Sequence, residues 1–166
     1  RCVYQFFPAR PEGDGIRIMD STWENEIDRF VFPRQSDKDE LCLSDWVDPD
    51  QRDTIAMFVT TVADEDLYKW SEKFKNEGQL LKSHMLQALG LEAAEAFAEL
   101  LHEKIRQMWG IQDPSDMTLP DKFKARYQGV RVSFGYPACP RLEDQEILFR
   151  LLDVENRLGV KLTDGY

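Results

Sequence analysis

The chain has 166 residues, and its 31 acidic and 21 basic side chains leave a formal net charge of −10. Hydrophobic residues make up 42% and charged residues 31%, the composition of an ordinary globular domain able to bury a core. That acidic excess excludes the basic footprint of a nucleic-acid binder, and no apolar run approaches the ~20 residues of a membrane span.

Cys2, Cys42 and Cys139 cannot close a disulfide framework, and their spacing matches no zinc pattern. This predicts a reducing, cytoplasmic setting, and no secretory signal contradicts it. The chain opens at Arg1 without an initiator Met and ends at Tyr166, just after a strand-like Val160–Thr163. Both ends read as cut from something longer.

Val3–Phe7 is short and apolar, and Pro8–Gly15 follows as a turn-rich linker. Ile16–Met19 alternates like a half-buried strand. The two strands are expected to pair through a loop longer than a tight hairpin. Ile27–Phe32 is another extended piece, stopped by Pro33. Thr54–Val62 is the best strand, nearly continuously apolar and β-branched, as expected of a central strand buried on both faces. From Asp64 the period changes. Asp64, Glu65 and Asp66 put acid in a first helical turn, and Leu67, Trp70 and Phe74 mark one face of a helix ending near Gly78.

Leu80–Trp109 reads as one long helix, or two broken near Gly90. Leu81, Met85, Ala88, Leu89, Ala93, Ala96, Phe97, Leu100, Ile105 and Met108 form an apolar stripe at helical spacing, the pattern of a core face. Opposite runs a polar line of Glu92, Glu95, Glu99, His102 and Arg106, the pattern of a solvated face. Pro120–Tyr127 predicts a short helix. Asp144–Leu158 predicts another, with Gly159 as its C-cap. Strands first and helices later predict an α+β fold with an antiparallel or mixed sheet.

Few chemistries fit. His84 and His102 lie 18 residues apart, so on one continuous helix they cannot share a metal; both read as surface or partner-facing. Asp48, Asp50 and Asp53 resemble the start of a calcium loop but lack its later Gly and terminal acid, which leaves turn chemistry. No G-x-S-x-G, Walker A or G-x-G-x-x-G is present, and no nucleophile–base pair can be located.

One stretch remains, Gly129–Pro140. It holds Arg131, Gly135, Tyr136 and two prolines, Pro137 and Pro140. The prolines fix φ and withhold two donors, and Gly135 allows a sharp bend or a close approach to the backbone. Such a rigid loop is either the rim of a ligand site or a stiff connector.

Here the chain resembles a known family. Arg131-Val-Ser-Phe-Gly135-Tyr136-Pro137-Ala138-Cys139-Pro140 is similar to the R-x-x-x-G-Y-P-A-C-P signature of the C-terminal activation domain of cobalamin-dependent methionine synthase. Tyr4–Arg10, Leu43-Ser44-Asp45-Trp46, Ala93–Glu103, Leu151–Glu155 and Gly159–Thr163 resemble further segments of that domain in order. The likeness spans nearly the whole chain, so it reads as one activation domain over residues 1–166, truncated at both ends.

The resemblance implies a C-shaped α+β domain, a central antiparallel sheet flanked by long helices, with S-adenosylmethionine in a surface groove. It implies a reactivation module of methionine synthase (5-methyltetrahydrofolate–homocysteine methyltransferase) in which the domain itself only binds. The methyl donor restores inert cob(II)alamin, held by a neighbouring cobalamin-binding module, with an electron from flavodoxin or a diflavin reductase. Mapped onto this sequence, Arg131 grips the ligand carboxylate. Gly135, Tyr136 and Ala138 supply the backbone rim for the adenine, and Glu95 favours the cationic end. The alternative reading is a free-standing homologue that acts only as a docking module.

Overall fold

The computed structural model describes residues 1–36, 39–62 and 65–165. The fold is α+β, with one antiparallel sheet and, among the described residues, five α-helices. The strands β1 (Cys2–Glu12), β2 (Gly15–Met19), β3 (Glu26–Val31) and β4 (Asp53–Thr60) lie in the order β3-β2-β1-β4.

β1 runs straight through Pro8 and Pro11, where the composition predicts a linker. Each proline biases the residue before it, Phe7 or Arg10, toward extended backbone, and that bias serves a strand as well as a linker. The turn shrinks to Gly13 and Asp14. Gly13 takes φ +57° at the first central position of a two-residue hairpin that pairs Glu12 with Gly15. β2 then pairs with β3 in the register Ile16 to Phe30 and Arg17 to Arg29.

β4 is an edge strand rather than the interior strand its sequence suggests. It is half-buried along its length, with only Met57 fully covered. A continuous β-branched run reports that neither face is fully wet; it carries no information about which edge is paired. The interior strands are β1 and β2, and in β2 Gly15, Ile16, Ile18 and Met19 are all buried. At the far end of β4, the Arg1 amine donates to the Thr61 carbonyl at 2.8 Å and Thr61 N–H donates back at 3.0 Å. That exchange is the reciprocal pairing of an antiparallel ladder.

The chain divides into two compact units. The first, Arg1–Cys2 with Val59–Val130, holds α1 (Glu65–Asn76), α2 (Leu80–Met108) and α3 (Leu119–Phe123). Of the acidic start expected at Asp64–Asp66, Asp64 lies outside the described residues. α2 is unbroken at Gly90, because the glycine makes room: a Cβ there would lie 3.1 Å from Leu67 Cδ1. Polar groups join α1 to α2, with the hydroxyls of Ser71 and Ser83 3.0 Å apart and Gln87 Nε2 donating to Ser71 Oγ at 2.7 Å.

The expected core stripe of α2 is largely outside. Leu81, Met85 and Leu89 are 73%, 63% and 64% exposed. The buried face carries Ser83, Ala98, Leu101, His102, Ile105 and Arg106, so two members of the expected solvated line are interior. Arg106 sits between the Asp113 carboxylate, with contacts of 2.9 and 2.7 Å, and His102 Nδ1 at 2.9 Å. Its guanidinium carbon lies 3.9 Å from the Tyr127 ring centre. A charge buried with its partner reads as surface in any hydrophobic pattern. His84, by contrast, is exposed as expected.

The second unit, Val3–Phe58 with the chain from Arg131 onward, holds most of the sheet, α4 (Gln145–Leu152) and α5 (Val154–Leu158). The predicted Asp144–Leu158 helix is split at Asp153, which adopts φ +51°. Gly159, at φ +73°, closes α5 as expected. Val160–Thr163 is not a strand. The Asp48–Asp53 acids make turns: Asp48 Oδ1 accepts from Asp50 N–H at 2.8 Å, and Asp53 Oδ2 accepts from Asp48 N–H at 2.9 Å. Asp45 also organises a turn. It accepts from Cys42 N–H at 2.9 Å and forms a two-pronged pair with Arg34, 2.9 Å at each prong. No described helix is long and apolar enough to cross a membrane.

Candidate functional site

The Gly129–Pro140 loop leads from the first unit into the second, and from Arg131 onward it belongs to the second. Its tip is the turn Tyr136-Pro137-Ala138-Cys139, closed by Cys139 N–H donating to the Tyr136 carbonyl at 2.9 Å. Pro137 occupies the position for which its ring is pre-shaped, and Ala138 keeps a negative φ, so the turn is type I rather than type II. Gly135 N–H donates to the Cys139 carbonyl at 2.9 Å, which extends the closure by one rung. Gly135 itself has φ +90°, and a Cβ there would lie 3.1 Å from Leu142 Cδ2. Both the conformation and the space call for glycine.

The underside of the loop is anchored to the sheet. Phe134 stacks on Phe30 with ring centres 6.2 Å apart, and Phe30 stacks on Phe32 at 5.7 Å. Cys139 is buried, and its thiol donates to the Ser133 carbonyl at 2.9 Å. Burial, reinforced by the Asp144 carboxylate, pushes that thiol's pKa up, so the donor proton is retained at neutral pH. Beyond the tip, Arg141 binds Asp144 through contacts of 2.8 and 3.2 Å and donates to the Val31 carbonyl at 3.0 Å. The loop is thus pinned at three points: ring stack, thiol and guanidinium.

Its upper surface is open. Tyr136 is 67% exposed, Gly135 and Pro137 are exposed, and Ala138 is half-buried. Among the described residues the Ala138 amide and carbonyl make no backbone hydrogen bond, so a donor and an acceptor stand side by side at the rim. Arg131 is half-buried at the base of the same loop. Arg131, Gly135, Tyr136 and Ala138 therefore share one loop segment. Glu95 belongs to the first unit, exposed on α2 and followed one turn later by Glu99. Among the described residues no cluster of His, Cys, Asp or Glu could hold a metal ion.

The anchoring residues Phe134, Cys139, Arg141 and Asp144 escape a search for chemistry, because they act on the loop from below. The one available signal is the i,i+3 spacing of Arg141 and Asp144.

Over residues 1–166 the sequence matches the family described as the activation domain of vitamin B12 dependent methionine synthase. The chain belongs to that family. A crystal structure of the MetH reactivation domain bound to AdoHcy superposes on this activation-domain chain with a TM-score of 0.91 at 31% identity. That match covers 100% of this chain and 54% of the other, so this chain spans about half the length of the solved structure it resembles. The α+β architecture is that of the reactivation domain.

Proposed function

We propose that this chain binds S-adenosylmethionine at the Arg131–Cys139 loop and presents its methyl group to a cobalamin held by another module of a methionine synthase. The observation that carries the reading is the loop itself: a half-buried arginine beside a pinned turn whose rim offers an unengaged amide and carbonyl. The likeness to an AdoHcy-bound reactivation domain supports it, since AdoHcy is S-adenosylmethionine without the methyl group.

Arg131 is the complement of the ligand's carboxylate, which a planar guanidinium grips with two parallel hydrogen bonds. The Ala138 amide and carbonyl match the donor and acceptor of the adenine edge, and Tyr136 and Gly135 frame it. Glu95 is the complement of the sulfonium and ammonium; it belongs to the other unit, and its assignment is tested separately from the loop's. When bound, the ligand supplies a methyl group that, together with one electron, returns oxidised cobalamin to its methylated form. The chain's own residues hold and orient the ligand while leaving the methyl exposed to an acceptor. Flavodoxin or a diflavin reductase is the electron source in this reading. Three free cysteines fit the reducing cytoplasm it requires.

Calorimetric titration of the chain with AdoHcy and with S-adenosylmethionine tests the proposal. Saturable binding with one-to-one stoichiometry is expected. No heat of binding at millimolar ligand would contradict it.

A further inference from the structure

Arg10 on β1, Trp23 in the β2–β3 turn and Arg52 just before β4 meet on the second unit. The guanidinium carbons of Arg10 and Arg52 lie 5.7 and 5.5 Å from the centre of the Trp23 ring. Both arginines are exposed, and Trp23 is half-buried. Trp23 takes φ +69°, a left-handed conformation that a bulky side chain adopts only when its surroundings enforce it. Asp20 does the enforcing. Its carboxylate accepts from Thr22 N–H at 3.1 Å, the Thr22 hydroxyl at 2.7 Å, Glu24 N–H at 3.2 Å and the Asn25 side-chain amide at 2.7 Å.

Five other arginines of this unit are neutralised internally. Arg17 and Arg29 share Glu12 and Glu26, Arg34 takes Asp14 and Asp45, Arg141 takes Asp144, and Arg150 takes Asp28. Among the described residues Arg10 and Arg52 have no carboxylate partner. The cross-strand neighbour of Arg10 is another cation, Arg17, placed where an opposite charge would stabilise the sheet. On a chain of net charge −10, two cations held against one ring and left without anions gain only the weak attraction of exposed cation–π contacts.

We infer that Arg10, Trp23 and Arg52 form a docking point for an acidic segment of a partner protein, with neighbouring carboxylates meeting the two guanidiniums. The cluster is open to solvent, so a small free anion would gain only the weak, screened contacts of surface ion pairs. A protein segment covers the indole and excludes water, the condition under which Trp and Arg dominate binding energy. The chain's negative charge disfavours an acidic partner elsewhere on the surface, so the cluster also sets orientation. This inference is independent of the S-adenosylmethionine loop.

The test is fluorescence anisotropy of a labelled Asp/Glu-rich peptide titrated with the full chain. Saturable binding that weakens with added salt is expected. The double variant Arg10→Gln/Arg52→Gln should raise the Kd at least about tenfold, one conventional step in affinity, with an unchanged melting temperature. Absence of saturable binding overturns the inference, as does equal binding by the double variant or by a Lys-rich control peptide. Inorganic phosphate displacing the peptide at a lower concentration than unlabelled peptide does would overturn it in favour of a small-anion site.

Discussion

The Cys139 thiol lies 2.9 Å from the Ser133 carbonyl and closes the candidate loop from within. Six residues apart in sequence, the two are joined under a turn whose outer face is solvent. The contact explains how a segment carrying two prolines and two glycines holds one shape without belonging to a helix or strand.

Cys139 should therefore resist alkylation in the native chain, while the less buried Cys2 reacts first; mass mapping after a brief iodoacetamide pulse reads the order. The raised thiol pKa has a definite sign. The folded state favours the protonated thiol, so its contribution is complete below the ordinary thiol pKa. It is lost as pH rises through the higher folded-state value. Replacing Cys139 by Ala should cost about 1–3 kcal/mol in urea unfolding, from a lost hydrogen bond and a small void. The alkaline fall in stability should shrink in that variant.

Gly135→Ala should strain the loop twice, through a positive φ and through the approach to Leu142. A destabilisation of about 1–3 kcal/mol is expected for such a backbone position. AdoHcy affinity should fall with it, because the rim carbonyl and amide would shift. A Gly135→Ala chain with wild-type melting temperature and affinity would show that the turn tolerates a side chain.

Arg106 and Asp113 form the most deeply buried ion pair described, with side chains 3% and 8% exposed. Asp113→Ala strands the guanidinium in the interior and should cost about 3–5 kcal/mol, the range for breaking a buried pair. The Arg106 guanidinium holds the Asp113 carboxyl below the ordinary carboxylate pKa. The pair's contribution is thus present above that ordinary value and lost as pH falls through the lowered one. Acid titration of stability in wild type and Asp113→Asn reads this directly.

The sequence pattern carries much of the sheet and the helical regions, and it fails where burial and polarity part company. β4 shows why: apolarity along a strand reports its faces and is silent about its edges. In α2, periodicity selects Leu81, Met85 and Leu89, yet the interior takes His102 and Arg106 because Asp113, seven residues past Arg106 and beyond the helix end, and Tyr127, farther along the chain, satisfy them. The candidate loop is legible because Pro137 and Gly135 dictate local backbone by themselves. What holds it, Phe134 on Phe30 and Arg141 on Val31, depends on long-range pairing that no local spacing encodes.

Glu95→Gln should separate the two ligands. AdoHcy keeps the ammonium but lacks the sulfonium charge, so the carboxylate matters more for S-adenosylmethionine than for AdoHcy. Loss of about 0.2–1 kcal/mol for S-adenosylmethionine is expected of a solvent-exposed charge, with a smaller loss for AdoHcy in parallel calorimetry. Equal effects on both ligands would remove Glu95 from the charge-recognition role.

Arg131 is the residue on which the functional account depends most. Calorimetric titration of AdoHcy into the wild-type chain and Arg131→Ala compares the two affinities with the fold checked by melting. Loss of the guanidinium–carboxylate contact should weaken binding by about 1.5–3 kcal/mol, and Arg131→Lys should restore only part because it keeps the charge without the fork. An Arg131→Ala chain that melts like wild type and binds AdoHcy with unchanged affinity would contradict the assignment of this loop as the ligand clamp.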